Sequence, residues 1–368
     1  MVLGTMIIAG LSFLLSLVLV AVVLRLSHNN SWYDQIDERK VHTGDVPRLG
    51  GLGFSLAFIV VAAALGFIAP FREGYGFRFL PVIAAMFMVL CLGVVDDFRP
   101  LTPRKKLVVQ IAAALLVVLP GYTFRRLFFF DLGSFGVMEW WLRYPLTMLW
   151  LVGMTNAVNF IDGVDGLSGG ISLLIALAYG IIFPVFSAVN TLSILCFSLA
   201  AAVGGFLVFN LPLPRARIFM GDGGALFLGF VLAVLPLIDQ GTAEGSVLPL
   251  PLPYAAALLL IPILDVTAAV WRRVRDHRPI DSPDRSHVHH KLMSLGLGAA
   301  GLDALLWGLQ ILLNLLVCIA VLTPGPRSLP ILGAAYALGI GFFSTVHFLH
   351  RRSNSKKPQG AGTPGSGA

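Results

Sequence analysis

The feature that most constrains this chain is a succession of apolar stretches, each about 17–25 residues long, that recurs along its length. They fall at 2–26, 50–70, 79–95, 106–124, 143–160, 167–188, 191–209, 223–239, 248–271, 302–323 and 328–350. Only 12% of the residues are charged and 57% are hydrophobic, whereas about a quarter of a soluble domain is charged. Lipid must therefore be the main solvent, and in lipid a segment of this length satisfies its backbone polar groups as an α-helix. The expectation is an all-α, polytopic membrane bundle of about eleven transmembrane helices. Residues 1–352 read as a single domain, and 353–368, rich in Gly, Pro, Ser and Lys, as a disordered cytoplasmic tail. The first stretch lacks a basic start and a small-residue cleavage site, so it reads as a retained anchor. Cys91, Cys196 and Cys318 each sit inside an apolar run and read as small packing residues.

Eleven spans divide the loops into two sets. One carries twenty Lys and Arg residues and the other six, namely Arg72, Arg78, Arg125, Arg126, Arg143 and Arg327. The basic set belongs on the cytoplasmic side, which predicts an outer N-terminus and a cytoplasmic C-terminus. The net charge of +7 is thus a topology signal spread between spans and gives no nucleic-acid patch. Tyr122–Leu142, with Phe128–Phe130, Trp140 and Trp141, reads as an interfacial or re-entrant element on the outer side.

The polar residues that a bundle should avoid gather in five places, all on the predicted cytoplasmic side: 37–51, Asp96-Asp97, 156–165, 215–222 and 285–290, with Asp265 joining from within a span. Asp96 and Asp97 are adjacent carboxylates, which remain ionised together only beside cations or a metal. A solvated helix end paired with Arg99, Arg104, Lys105 and Lys106 also accounts for them. In Asn156-Ala-Val-Asn159-Phe-Ile-Asp162-Gly-Val-Asp165-Gly, the first three polar residues recur at helical spacing, and hard oxygen ligands of this kind suit Mg2+, with Mn2+ as a replacement. A capped structural turn is the alternative. Asp222, in Met220-Gly-Asp-Gly-Gly224 before an apolar run, has the position of a helix N-cap and could also hold a metal. His287, His289 and His290 lie in the most basic loop. Their spacing and the lack of a companion Cys or His cluster argue against zinc, and they suit phosphate recognition or a solvated basic loop.

Taken in order, these blocks resemble the polyprenyl-phosphate N-acetylhexosamine-1-phosphate transferase family (glycosyltransferase family 4). Asp37-Glu-Arg-Lys-Val-His42 with Pro47-Arg-Leu-Gly-Gly51 is similar to its first cytoplasmic loop, and Asp96-Asp97 with Lys106 and Gln110 to its aspartate-pair block. Asn156–Gly166 and Phe219–Gly224 are similar to its metal-site blocks. Ser282–His290 resembles the His-x-His-His form of the branch that uses UDP-N-acetylglucosamine. Ala225 departs from the Ser common at that position.

The resemblance implies Mg2+-dependent transfer of sugar 1-phosphate from a UDP-N-acetylhexosamine to undecaprenyl phosphate, with release of UMP, at the cytoplasmic face of a bacterial inner membrane. It implies that Asn159 and Asp222 ligate the metal. Lys106 contacts phosphate, and Asp162 and Asp165 order the metal site and the uridine end. His287, His289 and His290 engage donor phosphates or sugar. Asn156 and Arg217 complete the substrate-binding set, with Lys40, Lys105 and Arg285 adding to a cationic mouth. Asp96 and Asp97 are the candidates for activating the lipid phosphate, by positioning it or as a covalent phospho-enzyme. A homodimer is a family-level expectation. The rival reading is a lipid or ion transporter, which predicts polar residues near the bilayer midplane and related halves. A recruiting scaffold has little support, since no cytoplasmic loop exceeds about 30 residues.

Overall fold

The computed structural model describes residues 2–33, 46–67, 79–127, 130–132, 138–186, 191–213, 215–238, 250–279, 282, 284 and 286–355. The apolar runs form helices: α1 Val2–Asn29, α2 Gly50–Phe67, α3 Leu80–Phe98, α4 Pro103–Val118, α5 Met138–Ile161, α6 Leu167–Phe186, α7 Thr191–Asn210 and α8 Gly221–Val234. They continue as α9 Leu252–Leu258, α10 Leu260–Arg275, the short α11 Val288–Ser294, α12 Ala299–Leu322 and α13 Ser328–Ser355. Among the described residues six helices are long and apolar enough to cross a membrane unaided, and the bent α9–α10 pair, counted as one span, would make a seventh. α2 and α8 are apolar but shorter. The chain is a multi-pass helical membrane protein.

α8 is the axis of the bundle. Every residue from Gly223 to Val234 is buried, as expected of a helix that is apolar all round, and α2, α3 and α5 pack around it. At its start α2 and α8 touch backbone to backbone: a Cβ on Gly224 would stand 2.6 Å from the Cα of Gly51. α1 and α13 lie at the periphery. Leu3, Leu11 and Leu14 of α1 and Phe348 of α13 are exposed, which places their apolar surface toward lipid.

The run at 248–271 was expected to be one continuous span, but it breaks at Leu259 with an 86° bend. The cause is local. In a continuous helix the Pro262 ring would clash with the carbonyl of Leu258, and its nitrogen could donate nothing. With the break at Leu259, Pro262 falls in the first turn of α10, where a missing N–H costs little.

The expected outer element at 122–142 lies partly outside the described residues, including Phe128 and Phe129. Its described parts hold a two-residue hairpin, β1 Arg126–Leu127 with β2 Phe130–Asp131. Trp140, 63% exposed, stacks on Tyr144 at 4.9 Å, and Trp141 is exposed beside it, an arrangement suited to the headgroup layer. Helix α13 extends to Ser355, beyond the start expected for the tail; 356–368 lie outside the described residues.

Candidate active site

The C-terminal ends of α3 and α5 and the N-terminal ends of α4 and α8 meet at one end of the bundle, and the acidic and basic motifs meet with them. Asp222, in the first turn of α8, is the hub. Its Oδ1 accepts from Asn159 Nδ2 at 3.0 Å, and its Oδ2 accepts from Lys106 Nζ at 3.1 Å. Lys106 also pairs with Asp96 Oδ2, so one ammonium bridges two carboxylates. Asp96 Oδ1 in turn accepts the Leu101 N–H at 2.7 Å, which turns the chain from α3 into α4. Asp96 thus pairs with one of the four nearby cations named from the sequence; Arg104 and Lys105 are exposed.

Asp222 was expected at the N-cap position, but the cap position is Met220 and Asp222 lies inside the helix. The capping carboxylate comes from another helix. Asp97 Oδ1 accepts the Asp222 N–H at 2.8 Å, and Asp97 Oδ2 accepts the Gly223 N–H at 3.0 Å. Arg48 stands 4.0 Å from the same group. Gly221 permits this arrangement: at φ +73 it turns the chain in a region where a side chain is strained, against the Asp97 carboxylate. The first-loop block is tied to the same place, with Phe219 donating to Pro47 O at 2.7 Å and Gly50 donating to Phe219 O at 2.9 Å. Residues 34–45, including Asp37, Lys40 and His42, lie outside the described residues.

Asn156 and Asn159 both lie on α5, but their partners differ. Asn156 exchanges hydrogen bonds with Gln110 of α4, at 2.8 and 3.2 Å, so it braces α4 against α5. Asp162 follows the end of α5 in the turn to α6. Burial, then the charges of Asp222 and Asp165, push its carboxyl well above the usual carboxylate range. Asn210, which the sequence reading did not single out, pins this turn: its Oδ1 accepts the Gly166 N–H at 2.9 Å and its Nδ2 donates to Ile218 O at 3.0 Å. Arg217 is exposed, with no contact between its side chain and the cluster among the described residues.

The histidine block is brought to the same turn. Asp265 of α10 repeats the device seen at Asp97: its Oδ1 accepts the Val288 N–H at 2.8 Å, and its Oδ2 lies 2.7 Å from His287 Nδ1. Asp265 is therefore a capping and orienting carboxylate for α11. His287 and His289 stack nearly parallel at 5.8 Å, and His290 is exposed beyond them. The His289 ring packs on Gly163, where any Cβ would collide with it. Burial, then His290, lowers the His289 pKa to about 4, so this imidazole is neutral at neutral pH. Arg272 and Asp284 hold the loop before α11 with a 2.5 Å contact, and Arg285 lies outside the described residues.

No group of three or more His, Cys, Asp or Glu side chains among the described residues forms a ready cage for a metal. The end of the bundle instead offers a bridged ammonium, a carboxylate hub, an amide and a neutral imidazole around one turn. This donor set is suited to phosphate and to a hard cation that keeps most of its water.

A family model described as glycosyl transferase family 4 matches residues 79–239, which contain Asp96, Asp97, Lys106, Asn159, Asp162 and Asp222. A Bacillus subtilis protein named "Probable undecaprenyl-phosphate N-acetylglucosaminyl 1-phosphate transferase" is 34% identical over 301 residues, 78% of this chain and 76% of that one. The chain belongs to glycosyl transferase family 4. Within the family it is also similar to a Mycobacterium leprae decaprenyl-phosphate N-acetylglucosaminephosphotransferase, 32% identical over 282 residues (70% of this chain, 69% of the other). An Escherichia coli K12 undecaprenyl-phosphate alpha-N-acetylglucosaminyl 1-phosphate transferase is 28% identical over 265 residues (72% and 69%). This family member is a membrane transferase, and the residues matched by the family model include the hub of the cluster.

Proposed function

We propose that this chain transfers N-acetylglucosamine 1-phosphate from UDP-N-acetylglucosamine to undecaprenyl phosphate, releasing UMP and starting a lipid-linked cell-envelope polysaccharide. The observation that carries the reading is the Lys106 bridge between Asp96 and Asp222, with Asn159 on the other oxygen of Asp222. It provides an ammonium held between two acids, at a bundle end where a lipid phosphate and a water-soluble nucleotide can meet. In this reading the bundle spans eleven times with the N-terminus outside, so the cluster faces the cytoplasm of a bacterial inner membrane. The charged cluster gathers at one end of the bundle, which favours this reading over transport through the midplane.

The acceptor is a phosphate monoester whose second pKa is about 6, so at neutral pH it is largely dianionic and nucleophilic without a base. Its oxygen attacks the donor phosphorus that bears the sugar. A new P–O–P bond forms to the lipid, the old bond to the UMP phosphate breaks, and UMP leaves with the electron pair. Lys106 neutralises the approaching anions and Asp96 holds Lys106 in place. Both Asp97 oxygens already accept backbone N–H groups, which favours direct displacement over a phospho-Asp97 intermediate. Neutral His289 and exposed His290 stand where donor hydroxyl or phosphate oxygens can be bound.

The hard oxygens of Asp222 and Asn159 fit Mg2+: a half-turn of the Asn159 amide exchanges its N–H for its carbonyl oxygen at the same position. When bound there, Mg2+ supplies charge neutralisation to the donor pyrophosphate and the departing UMP. The testing experiment is UMP release by the purified protein, with UDP-N-acetylglucosamine and other UDP-N-acetylhexosamines offered in parallel. A donor preference for another N-acetylhexosamine would revise the sugar and keep the reaction.

A further inference from the structure

Near the start of α12, Asp303 is only 4% exposed, and among the described residues neither of its oxygens has a hydrogen-bond partner. One turn on, on the same face, the Trp307 Nε1–H is buried without an acceptor. A buried carboxyl group without hydrogen-bond partners is costly. A Cβ on Gly166 would stand 2.7 Å from Asp303 Oδ2, so this turn lies directly against the carboxylate. Yet the Gly166 N–H is committed to Asn210 at 2.9 Å, and the Gly170 N–H to Gly166 O at 2.8 Å.

We propose that Asp303, facing the 162–166 turn, and Trp307, packed on Gly170 one turn further along α6, form a hydrogen-bonding subsite for a neutral hydroxyl- or amide-bearing part of the nucleotide-sugar donor. The inference rests on the donor reading above and adds residues that the motif blocks do not contain. A carboxyl group with both oxygens unsatisfied beside a donor-only indole N–H complements a group that can both donate and accept, as a hydroxyl or a secondary amide does. A phosphate is disfavoured here by the acid at Asp165, which acts electrostatically on Asp303. The link to the phosphate centre runs along one turn, since Asp162 feels both Asp165 and Asp222. A donor with its pyrophosphate at Lys106 and Asp222 therefore has a neutral, hydroxyl-rich end to lay toward Asp303.

The test compares full-length wild type, Asp303→Asn and Trp307→Phe in detergent, measuring kcat, the KM of each substrate and the unfolding temperature. Each variant is expected to raise the KM for UDP-N-acetylglucosamine by about 10- to 100-fold, the effect of losing one hydrogen bond to a charged group or leaving its partner unpaired. The KM for undecaprenyl phosphate stays unchanged, and Asp303→Asn unfolds at or above the wild-type temperature. An unchanged donor KM in both variants, or an equal rise for the lipid, overturns the subsite and leaves Asp303 a structural group. If Asp303→Asn fails to fold, Trp307→Phe decides alone. A wild type that releases no UMP overturns the functional reading and this subsite with it, whereas turnover with unmoved KM values overturns the subsite only.

Discussion

Both carboxylate oxygens of Asp97 accept backbone N–H groups from the start of α8, the nearer at 2.8 Å from Asp222, a residue 125 positions away in sequence. This fixes the hub carboxylate relative to α3 before any substrate arrives. Asp97→Asn keeps one acceptor and turns the other into a donor facing a donor. It is expected to destabilise the protein by about 1–3 kcal/mol, the range for a charged hydrogen bond or a lost helix cap. Thermal unfolding in detergent checks this, together with phosphate labelling of the wild type. Loss of activity with an unchanged unfolding temperature would instead give Asp97 a direct role at the reacting phosphates, and a trapped aspartyl phosphate would make it a nucleophile.

Lys106→Met removes the only cation seen to bridge Asp96 and Asp222 among the described residues. The two acids are then left in mutual repulsion with no ammonium between them. Turnover is expected to fall by about 100-fold or more, equivalent to about 2.7 kcal/mol or more in the barrier, with a raised KM for at least one substrate. Unchanged kinetics would remove Lys106 from the site.

Asn159→Ala and Asp222→Ala are expected to abolish turnover while leaving folded protein, and any residual activity should require more Mg2+ in both. Their shared contact at 3.0 Å predicts related shifts, so the double variant should be no worse than the poorer single one. Near-normal turnover of either variant at limiting Mg2+ would show that the pair does not hold the metal.

His289 gives a pH signature. Its pKa falls from the ordinary 6.5 to about 4 in the folded protein, so protons bind more readily to the unfolded chain. Stability is therefore lost as pH falls below about 6.5 and levels off below about 4, a change of about 3 kcal/mol at about 1.4 kcal/mol per pH unit. Unfolding temperatures across this window should decline for the wild type and flatten for His289→Gln. An identical decline in both would assign the acid sensitivity elsewhere.

The helices and the motif blocks were legible in the sequence because apolar length and local spacing carry them. The break before Pro262 was legible in principle, since the proline excludes a continuous helix, but the surrounding apolar run hid it. The capping roles of Asp97 and Asp265 were not legible. Each acid serves the first turn of a helix distant in sequence, and only packing brings donor and acceptor together. Asn156 was placed in the substrate-binding set by its motif position; that it also braces α5 against Gln110 of α4 could not be read from spacing, because the two residues are 46 positions apart. Asp303 escaped notice because it lies at the edge of an apolar run and outside every motif.

In the proposed reaction the Lys106–Asp222–Asn159 cluster carries the transfer of a sugar phosphate to a lipid phosphate. The most direct measurement is UMP release by purified protein given undecaprenyl phosphate, UDP-N-acetylglucosamine and Mg2+, each omitted in turn. Release is expected only when all three are present, and is expected to be lost in Asp222→Ala. No release with any UDP-sugar from folded protein, or release independent of the lipid, would contradict it.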